Sequence, residues 1–184
     1  MPTALRRQYA RLERQRAALL DRLGPFTDAQ RAFQPDPESW SLAGVVQHLV
    51  LVEEAMVRNG RRQAATRSAG VTLRSRILAR MLFAALGRDI RVRAPVVAVV
   101  PRSHLPLAEL VPRWAAARAD LMDYVEGLPG PLWWRTAFFH PGTGWITAMG
   151  GLRLFEVHCA HHLRQIERIA GDARFPVPDP PPLW

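Results

Sequence analysis

Between residues 155 and 169 the chain reads FEVHCAHHLRQIERI, which puts His158, His161, His162 and the only cysteine, Cys159, into five consecutive positions of a helical pattern. Three chemistries suit those residue types: a metal centre, a nucleophilic thiol with imidazole partners, or polar residues that merely share a helix. Helix geometry separates them. Residues four apart lie on one face, about one turn from each other, so His158 and His162 can offer two imidazole nitrogens to one cation. Cys159 is rotated by about 100° from His158, and a free cysteine commonly packs as a small buried hydrophobe. His161 is rotated by about 60° from His158 and about 100° from His162, which makes it a supporting or packing residue beside the pair.

A third nitrogen must come from elsewhere. In the stretch SLAGVVQHLVLVEEA, Val45, His48, Val52 and Ala55 recur at helical spacing. That puts His48 on an apolar stripe, where an unpartnered imidazole would lose its hydration. Three neutral histidines around a divalent cation leave coordination positions open for water or substrate, as catalytic sites do. Zn, Ni, Fe and Co all suit three imidazoles. His140, in FFHPGTG, precedes the last helix in a loop able to fold over the open end of a bundle, and is a candidate substrate-binding residue. His104, between two prolines, reads as solvated. Trp40 reads as a hydrophobic staple before a Ser41 cap, Trp114 as core, and Trp145 as a candidate for the mouth of a pocket.

The elements that must position these residues are almost all helical. An apolar stripe of Leu5, Tyr9, Leu12, Leu19 and Leu23 predicts a helix over 4–23. A Gly- and Pro-broken loop follows, with one helical turn near 27–33. Ser41 caps a helix running to about Asn59. LRSRILARMLFAALGR forms an amphipathic helix ending at Gly87, and a Pro-punctuated segment over 95–106 leads to a helix marked by Leu107, Leu110, Val111, Trp114, Leu121 and Val125. The last helix runs from a Thr147 cap to Ala170, with Gly171 able to supply the residue beyond its end. The Pro-rich tail, 171–184, reads as an extended strap. Neither an internal repeat nor a strand-rich region is evident, so the expectation is one all-α domain over 1–184. Its bundle of four long helices spans about 4–170, with an extra helix between the second and third.

A chain of 184 residues can bury a core without staples, and a single cysteine excludes an internal disulfide. The amino terminus lacks an uninterrupted apolar segment of the signal-peptide kind, and no apolar run reaches the roughly 20 residues of a membrane span; a cytoplasmic protein is expected. The formal charge is +9, and all 25 basic residues are arginine. Residues 61–93 hold nine of them against one acid, Asp89, a local charge of +8. Such a segment fits an acidic ligand, a nucleic acid or a membrane surface, or simply a solvated helix face. With no aromatic interleaving and no nucleic-acid-binding signature, nucleic acid is the least favoured partner.

The stretches PESWSLAGVVQHLVLVEE and HPGTGWITAMGGLRLFEVHCAHHLRQIERI, with their helical spacer, resemble the opening and closing motifs of the DinB-like superfamily. The branch most similar in pattern contains the bacillithiol S-transferases. The resemblance spans about residues 5–169 and leaves out the 61–93 cluster and the tail. It implies a four-helix bundle of up-up-down-down connectivity, frequent homodimerisation, and a divalent metal held by three histidines, which fall by position on His48, His158 and His162. In the related transferases the sulfur nucleophile comes from a low-molecular-weight thiol cosubstrate. The expected activity is therefore metal-dependent conjugation of such a thiol to small electrophiles, with the 61–93 arginines assisting an acidic thiol. A non-catalytic metal- or ligand-binding stress-response protein is the alternative reading, and a nucleic-acid-associated protein the third.

Overall fold

A computed structural model describes residues 1–64, 70–90, 96–101 and 105–177. His104, Arg67, Arg91, Arg93 and the end of the tail lie outside them. Four long helices carry the fold: α1 (Thr3–Leu23), α3 (Leu42–Arg62), α5 (Leu107–Glu126) and α7 (Ala148–Ala170). Between them lie the short α2 (Asp28–Ala32), α4 (Leu73–Gly87), a 3-10 turn at Val97–Val99, and the four-residue α6 (Gly130–Trp133).

Local chemistry starts the site-bearing helices where the sequence marks them. Ser41 Oγ accepts from the Gly44 amide at 3.0 Å, and Thr147 Oγ1 accepts from the Gly150 amide at 2.9 Å. Each satisfies an amide that no preceding turn can pair. Thr72 caps α4 in the same way, accepting from Ser75 at 3.1 Å, and Thr27 and Gln30 form a reciprocal capping box on α2. Gly171 closes α7 with φ −92°, so its amide reaches back to Glu167 without the left-handed turn that a glycine there permits.

The connectivity departs from up-up-down-down. Glu54 pairs with Arg113 and Arg61 with Asp120, so α3 and α5 run parallel. Gln8 bonds Glu156 and Arg22 pairs with Glu167, so α1 and α7 also run parallel. Leu19 and Leu23 at the end of α1 share a core cluster with Leu42, Val45 and Val46 at the start of α3, which makes that pair antiparallel. The order is up-down-down-up. The reason lies in the connections: residues 24–41 turn the chain back at one end, whereas the crossover over 63–106 carries it the length of the bundle.

A second correction concerns residues 138–146, read above as a loop. They form a hairpin, β1 (Phe138–His140) with β2 (Gly144–Ile146), pairing Phe138 with Ile146 and His140 with Gly144. Gly144 has φ +79°, a conformation that side-chain-bearing residues rarely adopt, and so lets a three-residue loop close.

Two core clusters fill the bundle, one around Leu12, Val57, Leu121 and Phe155, the other around Leu49, Val50, Trp114 and Cys159. Between them Arg118, 1% exposed, donates Nε and Nη2 to the two carboxylate oxygens of Glu53 at 2.6 and 2.7 Å. At the tail, Phe175 packs edge-on against Phe26 and Phe33, and Pro176 accepts from Gln30 Nε2 at 2.7 Å. Among the described residues, no helix is long and apolar enough to cross a membrane.

Candidate metal centre

α3 and α7 pack side by side, and their contact carries His48 in the second turn of α3 opposite His158 and His162 on α7. The three Nε2 atoms converge: His158 Nε2 lies 3.2 Å from His48 Nε2 and 3.0 Å from His162 Nε2. One ligand atom from each residue falls within 4.8 Å of the others, a group able to hold a metal ion. A tetrahedral ion with metal–nitrogen distances of about 2.0–2.1 Å spaces its nitrogens by about 3.3 Å, close to what is observed.

The outer ring nitrogens explain why the inner ones are free. His48 Nδ1 lies 2.7 Å from the Val99 carbonyl oxygen, which can only accept, so Nδ1 carries the proton. His162 Nδ1 likewise donates to Gln165 Oε1 at 2.7 Å. Both neutral rings therefore aim an unprotonated Nε2 at His158. The His158 Nε2 has at most one proton and can satisfy only one of them, so the cluster by itself leaves a lone pair facing another nitrogen at contact distance. A cation resolves that conflict, and the Nδ1 bonds hold the ligand tautomers in place.

Burial favours the neutral rings further. It lowers His48 to about 4 and His162 to about 3, the neighbouring imidazoles adding to the effect, and it pushes His158 well below the usual histidine range. All three rings are neutral at neutral pH, the state that metal binding requires. Trp40 covers the cluster, its ring centroid 4.6 Å from that of His48 and 5.9 Å from that of His162. Stacked on His162 and tilted over His48, it makes contacts beyond the staple role expected of it.

A cavity of about 270 Å³ opens from the three histidines along the groove between α3 and α7. Its wall is largely apolar: Val52 and Met56 come from α3, and Leu78, Leu82 and Leu86 from α4, which lies over the groove. Asn59 and His140 add polarity at the far side. His140 Nδ1 accepts from the Gly142 amide at 3.1 Å, so the neutral ring carries its proton on Nε2. α4 is tied down at its end: Arg164 donates to the Leu86 carbonyl at 2.5 Å, and Arg168 pairs with Asp89, which adopts a left-handed φ of 59°.

Of the other residues singled out by the sequence, some border this frame and some lie away from it. His161 is buried in the cavity wall, its Nδ1 3.1 Å from Asp89 Oδ1 and its ring beside His162. Cys159 is 1% exposed and burial raises its thiol to about 12, so it stays protonated in the core. Trp145 is buried against Phe139 and does not line the cavity. Arg74, Arg76 and Arg80 do not reach it either. They are exposed on the outer side of α4, so these three do not face a thiol inside the cavity, while Arg67, Arg91 and Arg93 lie outside the described residues.

No curated protein matches the chain. Among solved structures it is similar to TT2238, described as a four-helix bundle protein, with a TM-score of 0.55 and 25% identity over 89% of this chain and 98% of that one. A family model for the DinB superfamily matches residues 11–166, most of the sequence and every helix that bears a candidate ligand; the chain belongs to the DinB superfamily.

Proposed function

We propose that His48, His158 and His162 bind one divalent cation and that the protein is a metal-dependent transferase joining a low-molecular-weight thiol to small electrophiles, in the manner of the bacillithiol S-transferase branch. The observation that carries the metal assignment is the facing of three Nε2 atoms with two outer Nδ1 protons already committed to Val99 and Gln165. A cation bound there would supply Lewis-acid activation of a thiol sulfur at neutral pH. The residues of the chain do the rest. Trp40 shields one side of the cluster, the apolar wall from α3 and α4 holds the hydrocarbon part of an electrophile while excluding water, and His140 Nε2–H offers a donor to a polar group on it. Cys159 takes no part, since its buried thiol stays protonated.

Elemental analysis of the purified protein, followed by a metal-by-thiol matrix with a fluorogenic electrophile, tests both halves. One equivalent of metal per chain is expected, lost when His48, His158 and His162 are all replaced by Ala, together with metal-dependent thiol consumption. Equal metal content in wild type and triple variant would refute the site. Metal binding without turnover would leave the site and remove the transferase, making the protein a binding protein.

A further inference from the structure

α4 has two apolar faces, and only one is used. Leu78, Leu82 and Leu86 wall the cavity, while Leu73, Ile77 and Met81 are 73%, 47% and 63% exposed on the outside. At about 100° per residue, the outer three fall with exposed Ala84 within about 80° of arc. Arg74 borders that stripe on one side and Arg80 and Arg76 on the other. All three arginines are exposed, and none forms an ion pair among the described residues. Asp89, at the end of α4, is engaged by Arg168.

A contiguous exposed apolar stripe marks an interaction surface, and its borders choose the partner. A twofold copy of this face would set the arginines of one chain against those of the other with no acid to offset them. A nucleic acid would satisfy the arginines but leave the leucine, isoleucine and methionine without a partner. An anionic lipid surface satisfies both: an interfacial helix buries its apolar stripe among the upper acyl chains while flanking arginines extend to the phosphates. We propose that the outer face of α4 docks the protein on anionic bilayers. The cavity then lies directly behind the docking helix, where an apolar substrate drawn from the lipid phase would meet its wall. Docking through this face needs none of the imidazoles, so it stands or falls apart from the metal assignment.

Co-sedimentation of the full chain with vesicles of phosphatidylcholine alone, or with about one-third phosphatidylglycerol, tests it. Retention is expected on the anionic vesicles and is expected to weaken as salt rises. R74E/R76E/R80E should lower the partition coefficient on the order of a hundredfold, and L73S/I77S/M81S at least about tenfold, with metal content and circular dichroism unchanged in both. Absence of retention on anionic vesicles, or retention unaltered in both variants, overturns the proposal. So does a wild-type dimer that the serine variant converts to monomer, which would give the face to a second copy. Retention on duplex DNA in place of vesicles, lost only in the charge-reversed variant, overturns it equally.

Discussion

Replacing Glu53 by Gln should destabilise the protein far more than any surface ion pair would. Arg118 is 1% exposed and Glu53 3%, and two short N–H···O bonds join them, with Glu13 Oε1 3.4 Å from the third guanidinium nitrogen. Removing the carboxylate charge leaves a guanidinium without its main counter-ion in the middle of the bundle, and breaking such a pair costs about 3–5 kcal/mol. For a chain of this size that corresponds to a fall in Tm of about 6–20 °C. Replacing both partners, Glu53→Met with Arg118→Met, removes the unpaired charge as well as the bond, so the double variant should recover to within about 2 kcal/mol of wild type. Urea unfolding of wild type, Glu53→Met, Arg118→Met and the double variant closes the cycle and reads the coupling directly. A single-variant loss below about 1 kcal/mol, or a double variant showing the sum of the two losses, would refute the assignment of this pair as a desolvated ion pair.

Three further outcomes follow from the site and the core beside it. Gln165→Ala removes the acceptor that holds the His162 ring, and should weaken metal affinity by about 10–100-fold at unchanged stoichiometry, measured by competition with a chelator. Gly151→Ala places a methyl group inside the Phe138 ring, so overpacking should cost about 1–3 kcal/mol of stability in thermal unfolding. Acid should weaken the metal-free protein: His48 titrates near 4 when folded and near 6.5 when unfolded, so the unfolded chain binds more protons between those values. Stability from this group is whole above pH 6.5 and falls by about 3 kcal/mol as pH drops through 4. His162 shifts in the same direction. Tm measured from pH 7 to pH 4 should fall less steeply in His48→Gln than in wild type, and equal slopes would show that His48 does not titrate this way.

The long helices were readable because their signals are local. Ser41 and Thr147 announce themselves as caps a few residues ahead of the amides they satisfy, and His158 and His162 share a face by spacing alone. Connectivity was not readable from such signals, because helix direction depends on where a connection ends. The hairpin escaped because each strand is three residues long, too short for alternation to register; HPGTG, with its turn residues between FF and WI, was the available clue. The Arg118–Glu53 pair escaped because nothing in either helix alone tells a charged residue that its partner waits 65 positions away. Trp40 was assigned to its own helix start, whereas the close approach of α7 brings His162 beneath its ring.

The proton on His48 Nδ1 belongs to the crossover. Its acceptor, Val99, sits in the 3-10 turn of the segment that carries the chain from α3 to α5, whereas the two ligands on α7 need only their own helix and Gln165. The orientation of one ligand out of three is therefore set by an element outside the four-helix frame. Thermodynamic reciprocity would then couple two events that the fold keeps in different places: a cation held by the three imidazoles would favour the seating of the turn that carries Val99, and unseating that turn would weaken cation binding by the same free energy. Metal affinity would in that way report on the seating of Val99, a residue that never touches the cation.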